Sequence, residues 1–236
     1  MGRIFEKRKY KMFARYDRMA KAFTKIGREI AMAVRQGGPD QNHNPRLRMA
    51  VQNAKGVNMP KDRVEAAIKR ASSKETAGYE EILYEGYAPH GIAVLVECAT
   101  DNNTRTVANI RHIFTEKNGS MGTNGSVTFM FERKGIFKIP AERIPNLEEF
   151  ELEFIDHGLE EMELDENELI VTTSFNDFGK FLKALEAQKI EPTSSELQYL
   201  PTTRTDLPEA QAKEVLEMIE ELEANEDVQT VYHTLG

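Results

Sequence analysis

The chain has 236 residues, of which 40% are hydrophobic and 30% charged, with a formal net charge of −8 and a single cysteine. That length accommodates more than one domain, the composition excludes a disordered chain, and the lone Cys98 excludes an internal disulfide framework. The longest apolar run, "GIAVLVECA", falls short of the ~20 residues that cross a bilayer. No apolar segment follows the basic start "MGRIFEKRKYKMF", so a cytoplasmic protein with no membrane partner is expected.

The charge is split along the chain. Residues 1–76 hold 19 Lys/Arg against 7 Asp/Glu, whereas residues 77–236 hold 12 against 32. Such asymmetry points to a basic nucleic-acid-binding module joined to an acidic body. The competing reading is that the two parts neutralise each other by packing together.

Residues 1–76 read as all-helical. In "RYDRMAKAFTKIGREIAMAVRQGG", Met19, Phe23, Ile26, Ile30 and Val34 recur every three or four residues and share one face. Arg18, Lys21, Lys25, Arg28 and Arg35 are expected on the opposite face, and Gly37 and Gly38 end the helix. Asn44 caps a second helix with Pro45 at its first position. Leu47, Val51 and Ala54 form its apolar stripe, and Gly56 ends it. A third helix begins at Pro60, with Asp62 and Glu65 near its positive end, Lys69 and Arg70 near its negative end, and Val64, Ile68 and Ala71 inward. "ASSKETAG" is a polar linker.

From Gly78 the pattern becomes mixed. "GIAVLVECA" reads as a central strand. Asn102 or Asn103 caps a helix with Val107, Ile110, Ile113 and Phe114 inward, and "NGSMGTNGS" is a turn cluster. "SVTFMFER", alternating Val127, Phe129 and Phe131, reads as a strand with one buried face. "GIFKI", the acidic helix "NLEEFELEFIDHG", the strands "LEEMEL" and "ELIVTTS", the helix "NDFGKFLKALEAQ" and the extended "IEPTSSELQYLP" follow in the ferredoxin-like order β-α-β-β-α-β. The helix "PEAQAKEVLEMIEELEAN", with Val215, Leu216, Ile219 and Leu222 inward, and the strand "VQTVYHTL" then complete the unfinished unit of residues 90–132. The fold class is therefore α+β: an N-terminal helical domain (1–76) and two ferredoxin-like α/β domains. The second is discontinuous (77–132 plus 205–236) and the third (133–204) is inserted into it.

Catalytic constellations are scarce. His43, His90, His112, His157 and His233 are scattered, and none stands at metal-ligand spacing from Cys98 or another His. Cys98, in a buried strand, reads as an inert core thiol. "GSMGTNGS" matches neither a P-loop nor a dinucleotide fingerprint. No metal or cofactor is expected, and an enzyme in an interdomain cleft is the remote reading. The candidate phosphate contacts are Lys7, Arg8, Lys9, Lys11 and Arg15 in the basic arm, Arg18, Lys21, Lys25 and Arg28 on the first helix, Arg46, Arg48 and Lys55 on the second, and Lys61, Arg63, Lys69 and Arg70 on the third. Tyr10, Phe13 and Tyr16 stand among the arm's cations, where they can stack on bases or pack a helix. With no base-reading signature present, phosphate contact is the expected mode.

"GGPDQNHNPRLRMAVQNAKGVNMPKD", "YEGYAPHGIAVLVECATDNNTRT" and "GSMGTNGSVTFMFERKG" together closely resemble the YebC-like proteins, and the likeness runs over nearly the whole chain. The resemblance implies a three-domain, cleft-shaped protein with an N-terminal helical domain, acting as a DNA-binding transcriptional regulator. It also implies an alternative, a ribosome-associated RNA-binding factor that helps translation through difficult peptides such as proline runs. Most members begin with a Gly-His-Ser-Lys-Trp-like segment, in place of which this chain has "MGRIFEKRKYKMF" and no Trp. The expected partners are the phosphate backbone of DNA or RNA and the ribosome, with the oligomeric state left open.

Overall fold

The computed structural model describes residues 3–73 and 78–236, with side chains described from residue 19 onward. Three helices come first: α1 (Arg3–Gly37), α2 (Pro45–Gly56) and α3 (Lys61–Ala71). Ile26, Ile30, Ala33 and Val34 of α1 close on Leu47, Ala50 and Ala54 of α2 and on Val64 of α3. The apolar periodicity of the sequence therefore translates into a small bundle core.

The rest of the chain forms two four-stranded antiparallel sheets. The first contains β1 (Glu80–Tyr87), β2 (Ala93–Thr100), β3 (Ser120–Met121) and β8 (Val228–His233), in the order β3-β1-β2-β8. α4 (Asn103–Glu116) and α7 (Glu209–Ala224) cover one face, where Val94, Val96 and Cys98 meet Ile110, Phe114, Val215 and Met218. The other face carries Ala93, Leu95 and Tyr232 against Val127 and Phe131. Burial on both faces explains why β2 reads as an unbroken apolar run rather than an alternation. Leu216, expected inward on α7, is 45% exposed, and Met218 takes the inward place.

The second sheet contains β4 (Phe131–Pro140), β5 (Leu159–Asp165), β6 (Glu168–Ser174) and β7 (Ser194–Pro201), in the order β5-β6-β4-β7. α5 (Leu147–Ile155) and α6 (Phe178–Ala187) cover it through an aromatic core in which the Phe137 ring lies 4.8 Å from Phe178 and 4.7 Å from Phe181. Its neighbour order is that of a β-α-β-β-α-β unit. The first sheet reaches the same spatial order by a permuted path, because β1 precedes β2 as a hairpin. That hairpin turns through His90 and Gly91, both at positive φ (63° and 79°).

Two sequence expectations are corrected here. The sequence pattern predicts no element before "GIAVLVECA" in this unit, yet β1 stands there. "SVTFMFER" is not one strand. Thr128–Met130 is a 3-10 turn, Phe129 is 74% exposed, and the strand starts only at Phe131, within the second sheet. Glu85 of β1 explains the difference. Its carboxylate, 5% exposed, accepts from the backbone N–H groups of Gly125 (2.6 Å), Val127 (2.8 Å) and Thr128 (2.9 Å). Amides that a strand gives to a neighbouring strand are thus held by a side chain.

Candidate nucleic-acid interface

The segment joining α1 to α2 is built around Asn44. Its side chain accepts from Leu47 N at 3.0 Å, capping α2, and donates to the carbonyls of Ala33 (2.7 Å) and Gly38 (2.8 Å). One buried amide thus ends α1 and starts α2. Gly37 permits this, since a Cβ there would meet the Asn44 side chain at 2.8 Å, and Gly38 turns the chain at φ +83°. Asp40 holds the loop through Asn42 N (2.9 Å) and His43 Nδ1 (2.6 Å).

The cations fall into two groups. Lys55, Lys61, Arg63, Lys69 and Arg70 are exposed on α2 and α3, and Lys21 is exposed on α1. Lys61 pairs with Glu65 one helical turn on (3.6 Å), and the Arg63 guanidinium lies 5.7 Å from the centre of the Phe23 ring. The other group faces the acidic body. Arg28 is 9% exposed and donates to Ala99 O (3.0 Å), to Glu226 O and to the Asp227 carboxylate (3.1 Å), with Tyr79 stacked on it. Lys25 Nζ donates to Gln229 O at 2.7 Å, and burial pulls its pKa down. Arg46 pairs with Glu81, and Arg48 lies 3.3 Å from the Glu186 carboxylate.

Lys25 and Arg28 thus lie on the side of α1 away from the apolar stripe, but that side is turned to the acidic body, as in the competing reading in which the two parts pack together. The helix is packed on two sides: one against α2 and α3, the other against the end of the first sheet where β2 finishes and β8 begins. Asp227 makes the second packing possible. Burial pushes its carboxyl up, but hydrogen bonds from Thr106 and Arg105 and the charges of Arg105 and Arg28 outweigh that and hold it below the usual range. Lys7, Arg8, Lys9, Lys11, Arg15 and Arg18, with Tyr10, Phe13 and Tyr16, lie on the α1 backbone, but their side chains are outside the described residues.

Between the bundle and the two sheets lies a cleft of about 640 Å³, lined by Glu29, Arg46, Glu97, Arg133, Glu196 and Tyr232 among others. Burial, with Glu196 adding to it against the pull of Arg46, pushes the Glu29 carboxyl up to about 7. Burial also raises Glu97, although Tyr232 donates to it at 3.0 Å. Cys98, beside the cleft, is pushed up to about 12 by burial first and by Asp227 and Glu97 after it, so it stays a thiol. Among the described residues no group of three or more His, Cys, Asp or Glu is placed to hold a metal ion, and no helix is long and apolar enough to cross a membrane.

Sequence reasoning missed Glu85, Glu29 and Asn53. Asn53 exchanges hydrogen bonds with the Ser195 backbone (3.1 and 3.0 Å) and so ties α2 to β7. Glu85 had a usable signal: an acid inside "ILYEGY", an otherwise apolar stretch, followed by a glycine-rich turn. Nothing local marks Glu29 or Asn53, whose partners are far away in the chain.

Comparison with known proteins covers nearly the whole chain. A family model described as "TACO1/YebC protein N-terminal domain" matches residues 3–74, and one described as "TACO1/YebC second and third domain" matches residues 79–235. A "probable transcriptional regulatory protein" of Anaeromyxobacter dehalogenans (strain 2CP-C) is 53% identical over 241 residues, covering 100% of both chains. One of Cytophaga hutchinsonii is 53% identical, covering 100% of this chain and 99% of that one. The crystal structure of a conserved hypothetical protein from Aquifex aeolicus superposes with a TM-score of 0.81 at 36% identity, over 92% of this chain and 90% of that one.

Proposed function

The chain belongs to the TACO1/YebC family, and on that footing we propose that it is a nucleic-acid-binding regulator of gene expression whose helical bundle holds a phosphate backbone. The observation that carries this reading is the sorting of charge around the bundle. Arg28 and Arg46 are committed to carboxylates of the body. Lys61, Arg63 and Lys69 remain on its outer surface. Cations spread over helix ends contact phosphates without reading bases, so binding is salt-dependent and tolerant of sequence. The names of the relatives support transcription as the setting. The helical domain (1–76), the discontinuous domain (77–132 plus 205–236) and the inserted domain (133–204) belong to the same proposal, the first binding and the acidic pair orienting it.

The test is a titration of labelled duplex DNA over a series of salt concentrations. Changing Lys61, Arg63 and Lys69 together to Ala weakens binding uniformly across sequences and makes the salt slope shallower by about 1 for each phosphate-bound cation removed. An unchanged slope removes the bundle as the phosphate-binding surface. A second reading, an RNA-binding factor on the ribosome, is favoured by the same sequence-tolerant geometry, which suits RNA equally. Sedimentation of the tagged protein with ribosomes, abolished by ribonuclease, favours that reading. Tighter binding to duplex DNA at matched salt favours the first.

A further inference from the structure

A second cavity, of about 430 Å³, lies where α2 meets the end of the second sheet. Arg48, Val51, Gln52 and Lys55 recur at i, i+3, i+4 and i+7, so one face of α2 forms a wall. The opposite walls are α6, through Leu182 and Leu185, and the segments at Pro140–Arg143 and Ile190–Thr193. The two sides are held at a fixed spacing. Gln52 donates to Pro192 O at 3.1 Å, Asn53 is bonded both ways to Ser195, and Gly56 sits against the Thr193 carbonyl so closely that no Cβ fits.

The lining combines two chemistries. Arg48, Lys55 and Arg143 bring three cations from two parts of the chain, with the amides of Gln41 and Gln52 beside them. Arg48 Nε is buried and makes no hydrogen bond, although the Glu186 carboxylate is 3.3 Å away. Arg143 donates to Glu191 O and lies 3.9 Å from the Glu191 carboxylate. Glu186 and Glu191 belong to the same lining, 44% and 74% exposed. Interspersed with the cations on both walls are Val51, Leu182, Leu185, Ile190 and the rings of Pro140 and Pro192.

We infer that this cavity is a nucleoside-phosphate site, in which Arg48, Lys55 and Arg143 take the phosphate and the apolar side chains of the lining take the base. A bare phosphate leaves the apolar side chains unused, and a fatty acid leaves the Gln41 amide unused. A nucleotide uses both, and the volume is in the range of small-ligand sites, roughly 300–1,000 Å³. The phosphate is that of a free nucleotide or of a single residue of a strand drawn out of its stack. The inference extends the function proposed above and is tested apart from it through Arg143, which lies in the second sheet's unit and not on the bundle.

The test uses the full-length protein and the fluorescence anisotropy of two probes, N-methylanthraniloyl-labelled adenosine monophosphate and a short fluorescein-labelled oligoadenylate. The expected result is saturable binding of at least one probe, competed by adenosine monophosphate better than by adenosine. Arg143→Ala weakens it about tenfold, as expected when a charge-assisted hydrogen bond is removed, and Arg143→Lys restores part of it. Because the Arg143 side chain is 43% exposed, the variant is expected to melt like the parent, which a thermal scan checks. Weakening of both probes identifies a site open to free nucleotide, and weakening of the oligonucleotide alone identifies a strand site. Failure of both probes to bind in the millimolar range, or binding that Arg143→Ala leaves unchanged, overturns the inference. Mononucleotide binding is read with no nucleic acid present, so its outcome is separate from that of the duplex titration.

Discussion

Replacing Glu29 by Gln probes the seam between the bundle and the sheets. The Glu29 carboxyl faces Glu196, Glu97 and Glu81, with Arg46 opposing them, and burial together with these charges places it at about 7 against an ordinary 4.5. A group held above its unfolded value binds its proton more tightly in the folded state. Its contribution to stability is therefore fully present below about 4.5 and is lost as the pH rises through about 7. At about 1.4 kcal/mol for each pH unit between the two values, the ceiling is about 3 kcal/mol. Water at the cleft mouth lowers the expected loss to about 1–2 kcal/mol. Urea unfolding at a series of pH values from about 5 to about 8 measures it. The parent chain loses this stability across the window, whereas Glu29→Gln, with nothing to ionise, follows a flatter curve. Parallel curves for the two proteins refute the argument, since they show that Glu29 ionises as freely in the folded chain as in the unfolded one.

Three further outcomes are expected. Arg28→Met strips Asp227 of its buried partner while Arg105 remains, and lowers stability by about 2–3 kcal/mol in chemical denaturation; a loss within error of zero refutes the role of Arg28 as a staple. Glu85→Gln removes the charge that holds three loop amides and costs about 1–3 kcal/mol, with faster proteolysis between residues 122 and 130. In the parent chain, burial pushes Glu85 up but the backbone N–H groups of Val127, Gly125 and Thr128 outweigh it and hold the carboxyl below its usual range. Its stabilisation is thus present above the ordinary carboxyl range and declines as the pH falls through the depressed value, a dependence the Gln variant lacks. Asn44→Ala removes a helix cap and a donor to two carbonyls at once, and lowers the melting temperature by the equivalent of about 2 kcal/mol.

Elements whose signals are local were legible in the sequence. Asn44, Pro45 and Gly56 bound α2 where the caps predicted, and Phe178, Phe181, Leu182 and Leu185 of α6 are buried as their spacing requires. β1 was not legible, because "EEILYEGY" mixes acids with apolar residues and one of those acids, Glu85, points inward to serve a loop some forty residues on. Phe129 carries the alternation of a strand, yet Glu85 captures the amides around it and turns it outward. The cations show the same limit. Helical periodicity places Arg28 opposite Ile26 and Ile30 but does not reveal that a second surface, centred on Asp227, packs against that side.

The pairing of β2 with β8 has a consequence for how the chain acquires its structure. Ala93 N bonds to Thr234 Oγ1 across a separation of 141 residues. The second sheet lies wholly between them, with β4, β5, β6 and β7 all in one continuous stretch. During synthesis at roughly 5–20 residues per second, the second sheet has all its strands in hand while the first still lacks β8 and the apolar face of α7. Through that interval β2, the most apolar strand in the molecule, has an open edge of unpaired N–H and C=O groups. Such an edge invites pairing with another nascent chain. Closure of this long-range pair is expected to be slower than formation of the helical bundle or of the β1–β2 hairpin, and substitutions in β8 are expected to lower the yield of folded protein before they lower the stability of what has folded.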